Sequence, residues 1–145
     1  MDLLEEAREE LKRADHLVYV SLKYTRTCDI LMNTIKRLIE ASDFVILALL
    51  ERLRDKKKIA SIPEGSLNRV ELLLEKDKKY KAHIKLYLLL NKIEGCEFDR
   101  REEYRKNVTM IAHLDRRDLE VTVPVLDEYF QKIKEFVDIA EDEIG

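Results

Sequence analysis

The sequence predicts an all-α fold, an up-and-down bundle of four to five amphipathic helices, and three observations predict it. Hydrophobic residues make up 46% of the 145 and charged residues 39%, leaving little that is neither core nor solvated helix face. Only three Gly and two Pro punctuate the chain, too few for the frequent turns of a sandwich or barrel. Apolar residues recur at every third or fourth position over long stretches, the period of an α-helix. The length suits one domain spanning 1–145, large enough to bury a core without staples.

A first helix is expected over 2–24, where Leu4, Ala7, Leu11, Ala14 and Val18 form one stripe. Thr25, Arg26 and Thr27 mark a break or a continuation. A second helix, 28–57, carries the broad apolar face of a central element: Ile30, Leu31, Ile35, Leu38, Val45, Ile46, Leu49 and Leu53. Its cationic end, Arg52 to Lys58, suits the negative pole of the helix dipole. Residues 59–65, with Pro63 and Gly65, read as a loop.

Ser66 reads as the N-cap of a third helix reaching Glu94, with Gly95 as its stop. The polar run Glu75-Lys76-Asp77-Lys78-Lys79 suggests a bend within it. A fourth helix is expected over 99–114, with Tyr104, Val108, Ile111 and Leu114 inward. Leu119, Val121 and Val123 alternate briefly, but a lone strand would be an unpaired edge, so 115–121 reads as extended loop. Thr122 caps the last helix and Pro124 falls in its first turn. Leu126, Tyr129, Phe130, Ile133, Val137, Ala140 and Ile144 form its apolar stripe.

The 27 basic residues nearly balance 30 acidic ones, so any phosphate-binding role must come from a local patch. The longest apolar run, Phe44 to Leu50, falls far short of the roughly 20 residues a membrane span needs. The acidic start Asp2-Leu3-Leu4-Glu5-Glu6 is unlike a signal peptide. Cys28 and Cys96 lack metal-site spacing and read as free thiols of a reducing, cytoplasmic compartment. Three glycines allow no phosphate-cradling loop, and no Glu-x-x-His pair offers a di-iron site, so no metal or cofactor is expected.

His16 and His83 read as boundary histidines. His113 closes a segment that turns basic and then apolar. On a helix, Lys106 and His113 would share nearly one face, roughly 10 Å apart along the axis, with a phosphate held between ammonium and imidazole. Arg100, Arg101 and Arg105 precede the pair, and Arg116 and Arg117 follow it.

A bundle of this size, with a basic residue, an Asn and then a histidine on its penultimate helix, resembles the HEPN family. The matching positions are Lys106, Asn107 and His113. The resemblance implies a metal-independent ribonuclease or an RNA-binding relative, often a homodimer, with a nucleotidyltransferase-like protein as a possible partner. His113 would be general base for a ribose 2′-hydroxyl, Lys106 would stabilise phosphoryl charge, and Asn107 would orient either group. Arg101, Arg105, Arg116 and Arg117 would contact phosphates. Lysine stands where the family has arginine and lacks the bidentate fork. The favoured expectation is therefore a non-catalytic or weakly catalytic protein- or RNA-interaction module that acts as a homodimer. The alternative is an active RNase, the toxin half of a toxin–antitoxin pair. A small-molecule binder using Tyr80, Tyr87 and Tyr104 inside the bundle is a third.

Overall fold

The computed structural model describes residues 2–145. Helix α1 (Leu3–His16) is capped by Asp2, whose carboxylate accepts the Leu4 N–H at 2.9 Å. It buries Leu4, Ala7, Leu11 and Ala14, runs on through a π-helical segment, Leu17–Ser21, and ends as α2 (Leu22–Tyr24). The wider π turn carries Val18 and Leu22 to the buried side. Thr25 turns to extended geometry and ends the helix, which settles the break.

Helix α3 (Cys28–Asp55) begins at Thr27, whose hydroxyl accepts the Ile30 N–H. It packs against α1 and against three later helices, so residues on several of its sides are buried, Leu31, Ile35, Leu38 and Leu50 completely. Its end is a Schellman motif. Lys58 N–H donates to the Leu53 carbonyl and Lys57 N–H to that of Arg54, both at 2.9 Å, with Lys57 at φ +60°.

The third expected helix is two. Helix α4 (Ser66–Lys76) stops at the polar run, a 3₁₀ turn (Lys78–Tyr80) follows, and α5 (Lys81–Gly95) continues. Asp77 accepts the Lys79 N–H at 3.1 Å and holds the bend. Ser66 is the first helical residue, not the cap; Gly65, at φ +88°, occupies that place and no side chain caps the helix.

The fold is mostly helical, but the expectation of a purely helical bundle is corrected by a small sheet. The stretch read as a fourth helix is a β-hairpin, β1 (Phe98–Arg101) and β2 (Thr109–His113). The stretch read as loop contributes β3 (Asp118–Thr122). Order is β1-β2-β3, antiparallel throughout. Pairing places Phe98 opposite Ala112, Leu119 opposite Ala112 and Val121 opposite Met110. The inner face of the sheet thus carries Met110, Ala112 and Val121, all fully buried. Tyr104, expected inward, is 77% exposed.

Helix α6 (Val123–Ile144) leaves β3 directly, capped by Thr122, whose hydroxyl accepts the Val125 N–H at 3.2 Å. Phe136 lies fully buried, its ring 5.6 Å from that of Tyr80 and stacked 5.3 Å from that of His83. Arg8 ties α1 to α6 by gripping both oxygens of Glu141, at 2.6 and 2.9 Å, and by bonding Asp138. Among the described residues no helix is long and apolar enough to cross a membrane.

Candidate functional site

The sheet distributes the residues singled out in the sequence over two ends. The 102–108 connection joins β1 to β2 and carries Arg105, Lys106 and Asn107, all exposed. The 114–117 connection at the far end carries Arg116 and Arg117, also exposed, and is closed by Leu114 N–H donating to the Arg117 carbonyl at 3.0 Å. Strand β2 alone separates the two ends by about 13 Å at ~3.3 Å per residue. Lys106 and His113 therefore do not share a helix face, and within one chain they do not converge on one phosphate.

His113 sits on the outward face at the end of β2. Asp118 is its direct cross-strand partner on β3, and Asp99 reaches it diagonally from β1. Nδ1 lies 2.8 Å from Asp118 and Nε2 3.0 Å from Asp99. Hydrogen bonds donated to Asp118 and then to Asp99 raise the imidazole's pKa above its ordinary value. In its protonated form the ring donates from both nitrogens and clasps three strands together. The carboxylates hold opposite sides of the ring, so the three groups do not meet at one point as metal ligands would.

The same face repeats the pattern once more. Arg101 on β1 bonds Glu120 on β3 at 2.5 Å, spanning β2. Arg100 is engaged as well, with Asp29 at 2.8 Å and Glu103 at 3.0 Å. Among the described residues Arg105, Lys106, Arg116 and Arg117 hold no ion pair.

The 102–108 connection is wound tightly. Glu102 and Tyr104 both adopt positive φ, 54° and 65°, a region that side chains with a Cβ rarely occupy. Tyr104 donates its backbone N–H to the Arg26 carbonyl at 2.6 Å. That bond fastens the hairpin tip to the strap between α2 and α3. Tyr24, at the end of α2, is 85% exposed. Lys23 and Arg26 flank it, with no ion pair among the described residues. Two exposed tyrosines are thus gathered with Arg26, Arg105 and Lys106 at one end of the molecule.

Sequence reasoning missed Tyr24 and Arg26, and the only signal was a tyrosine beside two cations at a helix break. It missed Asp99 and Asp118 because only strand register brings them to His113. Tyr80 and Tyr87 are almost fully buried in the helical core, whereas Tyr104 is at the hairpin tip, so the three do not line one pocket. The Tyr87 hydroxyl donates to Asp43. Cys28 and Cys96 are free thiols, bonded to the Thr109 carbonyl at 3.3 Å and the Ile93 carbonyl at 3.2 Å. The chain matches no family model, no curated protein and no solved structure.

Proposed function

We propose that this chain is a non-catalytic interaction module that holds single-stranded RNA at the β1–β2 tip. The observation that carries the reading is the bond from Tyr104 N–H to the Arg26 carbonyl, which gathers two exposed aromatic rings and three cations. Exposed aromatic faces stack on unpaired bases, and nearby cations neutralise the backbone. A strained backbone fixed by a hydrogen bond presents such a ring at low entropic cost.

Binding is favoured over catalysis by the state of His113. A general base needs a neutral nitrogen facing its proton, and both ring nitrogens here face carboxylates that favour the cation. Lys106, the proposed charge stabiliser, is at the other end of β2. Descent from a HEPN-like ancestor rests on the spacing of Lys106, Asn107 and His113 alone, because the segment that carries them is a hairpin and not a helix.

Fluorescence anisotropy with a labelled unstructured RNA oligonucleotide in EDTA tests the reading. Each of Tyr24→Ala and Tyr104→Ala should weaken binding about tenfold, as loss of ~1–3 kcal/mol of stacking predicts. His113→Ala should bind as the parent does, and the RNA should remain intact. Binding that ignores both tyrosine changes, or cleavage that His113→Ala abolishes, would overturn it.

A further inference from the structure

We infer that a second site, at the opposite end of the helical body from the sheet, binds a single phosphoryl group. A cavity of about 80 Å³ lies where the end of α3 meets the α4–α5 bend and the end of α6. That is room for roughly two or three waters, or for one tetrahedral oxyanion. Arg52, Lys56, Lys58 and Lys76 line it, with Asp77 and Glu143 as its only carboxylates.

Both carboxylates are already engaged. Asp77 caps the Lys79 N–H, and Glu143 bonds Lys79 Nζ at 2.6 Å. Lys56, Lys58 and Lys76 have no ion pair among the described residues. Helix dipoles explain part of this, because α3 and α4 both end here and their C-termini favour cations. They do not explain two buried polar atoms. Among the described residues the Tyr80 hydroxyl, on a residue 1% exposed, has no hydrogen-bond partner, and neither has Arg52 Nη1, which stands 3.7 Å from Glu143. Buried donors are nearly always satisfied. Tyr80 lines the cavity beside Asp77 and Glu143, and burial raises its pKa, so it stays a neutral donor. A hydroxyl and a guanidinium facing one small cationic cavity are the donor set of an oxyanion site.

The backbone contributes too. The Schellman turn at the end of α3 folds Lys58 back beneath the helix, and it does so with Lys57 at positive φ, where glycine is usual. The arrangement keeps Lys56 and Lys58 on the cavity at the expense of backbone strain.

Isothermal titration with inorganic phosphate and with phenyl phosphate, at constant ionic strength and with chloride as the blank, tests the inference. Phosphate that binds alone identifies the free ion; phenyl phosphate that binds equally or better identifies a phosphate at the end of a larger molecule. In either case Tyr80→Phe should weaken binding roughly tenfold, the usual effect of losing one hydrogen bond to a charged group. Without ligand its Tm should be unchanged or raised. Lys58→Met, at an exposed position, provides a second variant that should also weaken binding. Failure of both probes to bind at about 10 mM, or affinity that neither substitution changes, would overturn the inference and leave the RNA reading untouched.

Discussion

The Glu103 carboxylate accepts the Cys28 backbone N–H at 3.0 Å, so a residue of the hairpin tip caps the longest helix from outside. Thr27 satisfies a second donor of that same turn, and Glu103 also holds Arg100. The helix N-terminus favours a negative charge there. Glu103→Ala should therefore destabilise the fold by about 1 kcal/mol in chemical denaturation. It should also weaken RNA binding by loosening the tip, whereas Glu103→Gln should retain more of both.

The clasp at His113 makes a pH prediction with a definite sign. Its pKa is raised in the folded state, so its contribution is fully present below the ordinary histidine value of about 6.5. That contribution is lost as pH rises through the folded value. Thermal melts of the parent and His113→Ala should differ most near pH 6 and converge at alkaline pH. A stability difference that grew as pH rose would show that the ring is held neutral.

Lys57 supplies a test of backbone strain. At φ +60° it sits where glycine carries no Cβ penalty. Lys57→Gly should stabilise the fold by about 0.5–1 kcal/mol. A loss of stability on denaturation would mean that the Lys57 side chain makes a contact outweighing the strain.

Leu38, at the middle of α3 and fully buried, tests the central placement of that helix. Leu38→Ala should lose about 3 kcal/mol or more, the transfer and cavity terms together. A loss below about 1 kcal/mol would indicate that the site collapses freely.

The ionic strength dependence of RNA binding counts the phosphates engaged. With Arg26, Arg105 and Lys106 at the tip, the log–log slope against salt should be about −2, at ~0.7 per phosphate for a single strand. A slope near zero in the anisotropy titration would remove these cations from the interface.

Helices α3 and α6 were readable because their evidence is local. The stripe from Leu126 to Ala140 and the cap at Thr122 lie within the segment that they define. The sheet was not, because its evidence is shared among three segments. Val108, Ile111 and Leu114 fit helical spacing, while Val108, Met110 and Ala112 fit strand spacing equally well and are the residues fully buried. The alternation of Leu119, Val121 and Val123 was visible, but assigning its partner to a helix left it apparently alone. One misreading thus produced the second. The site went the same way: His113, Lys106 and the arginines were found as residue types, but their partners depend on register.

Strand β1 is paired along one side only, and its other row of amides and carbonyls faces outward. Open rows of this kind recruit strands from neighbouring molecules. Here that edge strand carries Asp99, Arg100 and Arg101 in a row, so an incoming chain would meet charged side chains on both faces. The charges along β1 therefore guard its free edge, and concentrated solutions of the protein should resist fibrous self-association at neutral pH.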